Sequence, residues 1–292
     1  MAVSLTAAEH AERWTGRDVS VAAIERELAL LRDEHDLRTN VMTHLAWAQP
    51  EWQDAARETL AGLAEQHPSR TILLFPQPDD GRDALDADLS LACFSLEVVE
   101  RHVCSEVIEL RLHGDRREAP ASIVVPLLLP DLPVFLRWRG QPPFGARVLE
   151  QLLDVVDRLV VDSREWDDLP RCYAQLVEIF DRVAVSDIAW ARTLRWRREL
   201  ASLWPELAGV RELHVRGPLA EAALLAGWLR SRLRRDVALR HDPAERIELL
   251  ATDGREIVAR EERSTASELL SHELDRFSRD PVYESAAAAA AA

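Results

Sequence analysis

Residues 210–235, VRELHVRGPLAEAALLAGWLRSRLRR, decide the fold class of this chain. The segment 210–217 is typical of a β-strand, and the segment that begins at Gly217 is typical of a helix. Pro218 suits the first helical turn, because the N–H group that proline lacks would have no intrahelical partner there. A strand that passes directly into a helix is the repeating unit of an α/β fold.

The residues after this segment predict three more strands and one more helix. Thr252, Asp253 and Gly254 form a turn signal between two apolar segments, which predicts a β-hairpin. The seven alanines over 286–292 are expected to form a solvent-exposed tail. The predicted strands are 235–240, 246–251 and 256–260, and the predicted helix is 264–277.

The residues before the segment also alternate helices with strands. Apolar side chains recur every three or four positions from Val21 to Leu31, which predicts an amphipathic helix over 21–35. The apolar segment 119–129 is expected to be a helix kinked at Pro126, because a central strand does not accommodate proline. Further helices are predicted over 51–67, 145–153, 171–182 and 187–204, and strands over 39–48, 70–75, 88–98, 103–112, 132–140 and 156–163.

This alternation predicts the fold class α/β, with two domains that each pack a mixed β-sheet with helices. A length of 292 residues is also typical of about two domains. The polar, proline-terminated sequence SREWDDLP (163–170) is typical of a domain boundary. We therefore expect an N-terminal domain over 1–165, a C-terminal domain over 166–285 and the alanine tail over 286–292.

The composition excludes several classes of protein and site. The 36 basic residues are all arginine, so a Schiff-base lysine or a phosphate-loop lysine is impossible. Only 10 residues are glycine, which disfavours a glycine loop that cradles phosphate. The 51 acidic residues bring the formal charge to −15, which argues against a nucleic-acid binder.

The location of the protein is expected to be cytoplasmic, without a membrane partner. Residues 1–14 lack the basic flank and apolar core of a signal peptide, and prolines interrupt the longest apolar run, 119–135. The three cysteines, Cys93, Cys104 and Cys172, are expected to be reduced, small apolar side chains. The alternative is that Cys93 and Cys104 face each other on adjacent strands.

No catalytic motif, cofactor fingerprint or metal-ligand spacing is present in the sequence. The prediction is therefore a non-enzyme with no catalytic, cofactor-binding or metal-binding residues. One alternative is an anion site at the helix N-terminus that follows Gly217 and Pro218, with His214 and Arg216 nearby. That site would indicate a sugar-phosphate-binding α/β protein or enzyme.

The charge is distributed unevenly along the chain. Residues 192–240 contain eleven arginines and five acids, whereas residues 1–67 contain six arginines and twelve acids. Such polarity can steer a protein towards a partner of matching pattern, and Arg and Trp are enriched at interface hot spots. The alternatives are a solvated helix whose tryptophans pack inward, and RNA binding by Arg and Trp stacking. The candidate partner-contact residues are Arg139, Trp190, Arg192, Arg195, Trp196, Arg197 and Arg198.

An ordered set of segments resembles a known family over most of the chain. The segments are HPSRTILLF (67–75), VCSEVIELRL (103–112), VVPLLLPDLPVFLRWRG (124–140), VDRLVVDS (156–163), DIAWARTLRWRREL (187–200) and LLAGWLRSRL (224–233). Together they resemble the OpcA family of glucose-6-phosphate dehydrogenase assembly proteins.

The resemblance implies a non-catalytic protein that binds glucose-6-phosphate dehydrogenase, favours its active oligomer and acts as an allosteric activator in the oxidative pentose phosphate pathway. It offers no catalytic residues to carry over. The family occurs in cyanobacteria and actinobacteria, and a composition rich in alanine and without lysine suits a GC-rich actinobacterial genome. Redox control through cysteines is associated with cyanobacterial members, and no such pair maps onto the three cysteines of this chain.

Overall fold

The computed structural model describes residues 5–9, 13–35, 40–61, 69–96, 101–258, 265–276 and 278–291. The chain forms two units, of which unit 1 comprises residues 1–159 and 266–271, and unit 2 comprises residues 160–265 and 272–292. Each unit contains a mixed β-sheet and helices, so the predicted α/β class is confirmed. The boundary between the units lies inside a strand, Arg158–Val161. The segment 163–170, which the sequence favours as the boundary, lies within unit 2.

Unit 1 is built on a sheet whose strand order is β1-β5-β6-β4-β3-β7, with β2 paired to β5. β6, β4, β3 and β7 run parallel to one another, whereas β5 runs antiparallel to β6. The strands are β1 (Leu5–Glu9), β2 (Arg13–Gly16), β3 (Thr43–Trp47), β4 (Arg70–Pro76), β5 (Leu85–Leu96), β6 (Arg101–Leu112), β7 (Val134–Trp138) and the start of β8 (Arg158–Val161), and the helices are α1 (Val21–His35), α2 (Gln53–Ala61), α3 (Pro120–Val124) and α4 (Arg147–Leu153).

The central strands of this sheet are buried along their whole length. Every residue of β3, β4 and β7 is buried, as expected of parallel strands covered on both faces. Arg70 is buried among them, and its Nε lies 2.6 Å from a carboxylate oxygen of Glu106 on β6. Its Nη1 donates to the carbonyl of Leu127 at 2.7 Å. The buried guanidinium therefore has both an ionic and a carbonyl partner, as such a group requires.

The segment 119–129 is helical, as predicted. α3 is followed directly by a 3₁₀ turn, Val125–Leu127, in which Pro126 occupies one of the first positions. Proline is compatible with that position because it removes an N–H that no preceding carbonyl needs. Ile123, Val124 and Leu127 turn inward and are buried.

Unit 2 carries a second mixed sheet of strand order β11-β10-β12-β13. β10 is parallel to β11 and antiparallel to β12, and Asp253 and Gly254 form the predicted turn between β12 and β13. The strands after β8 are β9 (Ala184–Asp187), β10 (Glu212–Gly217), β11 (Ala238–Pro243), β12 (Leu249–Thr252) and β13 (Arg255–Ile257), and the helices are α5 (Leu169–Val177), α6 (Ile188–Arg192), α7 (Leu194–Ser202), α8 (Leu219–Leu233), α9 (Ala266–Leu274), which begins in unit 1, and α10 (Pro281–Ala290).

The expectation of an exposed alanine tail is wrong. The alanines continue α10, and Ala286, Ala287 and Ala290 are buried against α8. Gly227 makes this possible, because a Cβ at that position would collide with the carbonyl oxygen of Ala286 and lie 2.9 Å from the amide nitrogen of Ala290. Small side chains on one helix and a glycine on the other let the two backbones approach closely.

Two of the cysteines lie opposite each other in the sheet of unit 1. The antiparallel register of β5 and β6 pairs Cys93 with Cys104, as the sequence alternative proposed, although their side chains lie outside the described set. Cys172 is a buried free thiol on α5, and burial raises its pKa. Such a thiol is a poor nucleophile.

None of the helices in the described part of the chain is long and apolar enough to cross a membrane.

Candidate functional site

The Trp/Arg-rich segment 187–204 forms two helices rather than one. β9 ends at Asp187, whose carboxylate accepts a hydrogen bond from the Ala189 amide at 2.9 Å and so caps α6. α6 ends at Arg192, and α7 begins two residues later, after Thr193. Because the helix is interrupted at Thr193, a single helical wheel does not describe the whole segment.

Trp190 belongs to the core of unit 2. Its indole Nε1 donates to the Asp280 carboxylate at 3.0 Å, and its ring centroid lies 5.8 Å from that of Tyr283 on α10. The Arg197 guanidinium lies over the Trp190 ring, with its central carbon 3.4 Å from the ring centroid. Trp190 and Trp196 are both buried, so the inward-packing alternative describes them in this structure.

Arg197 and Arg192 are also engaged internally. Arg197 Nε donates to the Thr193 hydroxyl at 2.9 Å, and burial lowers the pKa of the guanidinium to about 10. Arg192 Nη1 lies 2.9 Å from both carboxylate oxygens of Asp162. These contacts hold the α6–α7 segment in place, which leaves other residues to meet a partner.

The solvent-accessible part of this region is the α7 surface, which we define by the half-buried Arg195 and the exposed Arg198 and Trp204. Arg198 is exposed, and Arg195 lies partly over the Trp196 ring at 5.1 Å. Trp204 is 64% exposed, a high value for the largest apolar side chain. It was not among the sequence candidates, and it lies beyond the end of α7 at Ser202.

The charge predicted for this region lies on the surface. Seven of the eleven arginines in 192–240 are exposed, against three of the five acids. One of them, Arg235, donates to the carbonyl of Ala208 at 3.2 Å, in the 3₁₀ turn that follows Trp204. Trp and Arg are residue types enriched at interface hot spots, so the α7 surface is the candidate for partner contact in this region.

Arg139 lies in unit 1, just beyond the end of β7. Its guanidinium lies over the ring of Trp52 at 4.9 Å, and its amide donates to the Trp47 carbonyl. Trp138 points inward and stacks on Trp47, with centroids 5.1 Å apart. The alternation of an inward Trp138 and a partly exposed Arg139 is as the sequence predicts.

A buried polar network lies behind α6 in unit 2. The Asp187 carboxylate accepts from the amide of Ser163 at 3.1 Å and from the hydroxyl of Tyr283 at 3.4 Å. The Tyr173 hydroxyl donates in turn to the Ser163 hydroxyl at 2.9 Å. Burial, and then the repulsion of Asp162, raise the pKa of Asp187 to about 7.

Strongly shifted carboxyl groups often mark active sites, but this network is sealed. Ser163 and Asp187 are completely buried, and Tyr173 and Tyr283 are at most 1% exposed. A substrate cannot reach Asp187 without displacing these side chains. The arrangement therefore describes a core network whose ionisation is coupled to folding.

The alternative anion site after Gly217 is already occupied by the chain itself. Glu221 lies in the first turn of α8, fully buried, and pairs with Arg164, while burial raises the pKa of Glu221 to about 7. A pocket of about 200 Å³ lies beside this terminus, and Glu245 contributes to its wall. Arg164 also lines this pocket, but its guanidinium is paired with Glu221 and so leaves no unpaired positive charge for a phosphate.

The residues that suggested an anion there have other partners. His214 Nε2 lies 2.8 Å from Oδ2 of Asp242, and Arg216 Nε lies 3.2 Å from Oε2 of Glu248. Gly217 is required because a Cβ would lie 2.9 Å from Cα of Ile247. Its role is close packing of two backbone segments, for which a ligand is not needed.

Substitution of Asp280 tests whether α10 stabilises the α6–α7 region. Its Oδ1 accepts from the amides of Val282 and Tyr283 at 3.0 Å, while Oδ2 accepts from Trp190. We expect Asp280→Ala to lower the free energy of unfolding by about 1–2 kcal/mol, because both the cap and the indole bond are lost. Asp280→Asn keeps an oxygen for the cap, so chemical denaturation should give a smaller loss. Equal stability of the alanine variant and the unsubstituted protein would contradict this assignment.

The described residues contain no group of three or more potential ligands that could hold a metal ion. The sequence prediction names no cofactor, and the arrangement of side chains around α6, α7 and α8 suggests none. The chemistry available on the α7 surface is that of recognition, namely an indole ring and guanidinium groups with which carboxylates can pair.

Two family domains match this chain. Residues 61–178 match the family domain described as the glucose-6-phosphate dehydrogenase subunit N-terminal domain, and residues 183–287 match the corresponding C-terminal domain. Both domains belong to the OpcA family, and they meet between α5 and β9, within unit 2.

Similar proteins come from cyanobacteria, and each is provisionally named OxPP cycle protein OpcA. The one from Synechocystis is 27% identical over 59% of this chain, and the one from Nostoc punctiforme is 25% identical over 68%. The matched regions span 38% and 46% of those proteins, so the chain matches less than half the length of its curated relatives. An actinobacterial origin stays a prediction. Since the two family domains together extend over most of the sequence, the chain belongs to the OpcA family of glucose-6-phosphate dehydrogenase assembly proteins.

Proposed function

We propose that this chain is a non-catalytic cytoplasmic partner of glucose-6-phosphate dehydrogenase that binds the enzyme and favours its active oligomer. The observation that carries the proposal is the paired match of residues 61–178 and 183–287 to the two domains of this family. The names of the cyanobacterial relatives, which refer to the OxPP cycle, support the same pathway. The sealed carboxyl network of unit 2 is consistent with a role in binding rather than in chemistry.

The mechanism would be a difference in affinity between two states of the enzyme. A protein that binds the active conformation or oligomer more tightly than the inactive one shifts the population towards it. A 50-fold shift in that equilibrium requires only about 2.3 kcal/mol of coupling, which one interface can supply. Reciprocity then requires that conditions which favour the active enzyme also strengthen its binding to this chain.

The α7 surface is the part of unit 2 that we assign to the enzyme. Trp204 offers a large apolar anchor, and Arg198 offers an exposed charge within a positively charged region. The expected complement is an apolar pocket bordered by carboxylates on the enzyme. Of the sequence candidates, Arg195 and Arg198 belong to this surface, whereas Trp190, Trp196, Arg192 and Arg197 support it from within.

The test of the function uses glucose-6-phosphate dehydrogenase from the same organism. We expect addition of the full chain to raise the activity of the enzyme at low substrate and to increase its oligomer size, measured by steady-state kinetics and light scattering. Unchanged kinetics together with unchanged oligomer size would refute the proposed function.

The test of the surface uses Trp204→Ala and Arg198→Glu. We expect each variant to bind the enzyme at least about tenfold more weakly than the unsubstituted chain, because a hot-spot truncation typically costs about 2 kcal/mol. Arg147→Glu is the control, since Arg147 is exposed on unit 1 and the substitution changes the net charge by the same amount. Equal loss in the control would assign the effect to overall charge, and no loss in either test variant would place the interface elsewhere.

A further inference from the structure

Unit 1 contains a pocket at the carboxyl ends of its parallel strands. In the strand order β6-β4-β3-β7, the strands β4 and β6 are added on one side of β3. The next strand, β7, is added on the other side of β3, so the direction of strand addition reverses there. Ligands of open α/β sheets bind where this reversal occurs, in the crevice beyond the carboxyl ends of the strands. A pocket of about 420 Å³ lies in that position, within the size range of small-molecule sites.

The walls of the pocket come from the ends of three of these strands and from one helix. Trp47 ends β3, Pro76 ends β4, and Arg117 lies in the 3₁₀ turn Gly114–Glu118 that follows β6. Val148 of α4 closes another side. The remaining lining residues are Gln49, Pro50, Gln77, Pro78 and Glu118.

Arg117 is held in place without a carboxylate. Its Nε donates to the carbonyl of Gly114 at 3.2 Å and its Nη1 to the carbonyl of Gln77 at 3.0 Å. Among the described residues no acidic oxygen lies within ion-pair distance of this half-buried guanidinium, whereas the neighbouring Arg116 lies 3.8 Å from Asp83. Two neutral carbonyls thus fix the position of a positive charge that an oxyanion could neutralise.

Trp47 contributes an apolar wall to the pocket. Its side chain is 3% exposed, and its indole Nε1 is itself buried, without an acceptor in the described part of the chain. Because that nitrogen is not accessible, a ligand in the pocket meets the ring and not the N–H group.

The chemistry of the walls narrows the class of ligand. The β3–α2 connection, Ala48 to Trp52, contains no glycine and places Pro50 at the start of its 3₁₀ turn, so it lacks the backbone amides and close approach that a dinucleotide pyrophosphate requires. Proline and valine side chains suit the C–H face of a small organic molecule, and the amides of Gln49 and Gln77 suit hydroxyl groups.

We propose that this crevice binds a small metabolite with one oxyanion group, a phosphate or a carboxylate, on a polyhydroxy body. Arg117 pairs with the oxyanion, the side-chain amides of Gln49 and Gln77 bind hydroxyl groups, and the proline side chains contact the body of the ligand. The site lies entirely in unit 1, so it is separate from the α7 surface.

Calorimetric titration of the full chain tests the proposal, with glucose 6-phosphate, citrate, inorganic phosphate and glucose as probes. We expect saturable binding of at least one organic anion with a Kd below about 1 mM, and at least about tenfold weaker binding of glucose. Binding should also raise the melting temperature of the chain. Absence of saturation with all four probes at 10 mM, or equal affinity for glucose and its phosphate, would overturn the proposal.

Substitutions locate the site. Arg117→Gln should weaken binding of the anion at least about tenfold, because glutamine keeps a polar side chain but carries no positive charge. Arg116→Gln is the matched control, because Arg116 is adjacent, exposed and paired with Asp83. Unchanged affinity in Arg117→Gln, or equal loss in the Arg116 control, would show that the anion binds elsewhere. The titration contains no enzyme, so its result is independent of the proposed partner.

Discussion

Replacement of Gly227 by alanine should destabilise unit 2, although the same substitution stabilises an ordinary helix. Alanine is favoured over glycine by about 1 kcal/mol in a helix interior, and Gly227 lies in the middle of α8. Here the new methyl group would collide with the Ala286 carbonyl oxygen and lie 2.9 Å from the Ala290 amide nitrogen. These are backbone atoms, which cannot turn aside as a side chain can. We expect a loss of about 3 kcal/mol in the free energy of unfolding, because α10 must move away from α8.

Gly209→Ala is the matched control for this prediction. A Cβ at Gly209 meets no heavy atom within 4 Å, and the residue lies in a 3₁₀ turn of the same unit. We expect its stability to stay within about 0.5 kcal/mol of the unsubstituted chain. Thermal and chemical denaturation of both variants measure the difference, which should appear as a melting point lowered by about 6–12 °C in Gly227→Ala only. A stabilised Gly227→Ala variant would show that α10 does not pack on α8 in solution.

The second large effect is a loss of stability as the pH rises from 3.8 to about 7. Burial and the neighbouring Asp162 raise the pKa of Asp187 from its usual 3.8 to about 7. A carboxyl group with a raised folded-state pKa contributes stability that is fully present below pH 3.8 and is lost as the pH rises to about 7. The difference corresponds to about 4 kcal/mol at about 1.4 kcal/mol per pH unit. Glu221, whose pKa is also raised to about 7 by burial, acts in the same direction.

Asp187→Asn tests the assignment of this pH dependence. The asparagine oxygen can still accept from the amides of Ser163 and Ala189, and its NH₂ group stands where protonated Asp187 carries its hydrogen. We expect the variant to be more stable than the unsubstituted chain at pH 8 and to lose less stability between pH 5 and pH 8. Asp115→Asn, at an exposed position, is the control and should leave the profile unchanged. Identical profiles of Asp187→Asn and the unsubstituted chain would refute the coupling.

Both predictions concern the support of the α7 surface. Trp190 connects α6 to α10 through Asp280 and Tyr283, and Arg197 connects α7 to the Trp190 ring. A variant that moves α10 should therefore weaken partner binding indirectly. Binding and stability must consequently be measured on the same preparations before a loss of binding is assigned to a contact residue.

Much of the fold could be predicted from local pattern. β4 is a continuous apolar run that only a doubly covered strand explains, and α8 follows β10 through a proline that suits a helix start. The 252–254 turn also carries its own signal. β1, β2 and β9 were not predicted, since each spans only four or five residues and is defined by its hydrogen-bonded neighbour more than by its own residues.

The site was less predictable, because exposure is a tertiary property. Trp190, Trp196 and Trp204 occur in one short segment, yet two are buried and one is 64% exposed. The difference arises from the break at Thr193 and from the end of α7 at Ser202. Helical spacing predicts a common face only while the helix continues. Pro205, three residues after Ser202, is a local signal for the end of α7, whereas the break at Thr193 has no glycine or proline beside it.

The sequence by itself determined the α/β class, the order of the main strands and helices, and the absence of lysine chemistry, because these depend on local spacing and on residue identity. Only the tertiary structure decided the roles of Gly227 and of the terminal alanines, because local propensity makes Gly227 a weak helix position and does not say that the alanines are buried. Their importance comes from the approach of two backbones that are 59 to 63 positions apart in the chain. Contacts of that separation leave no local pattern, since the residues that make them need only be small.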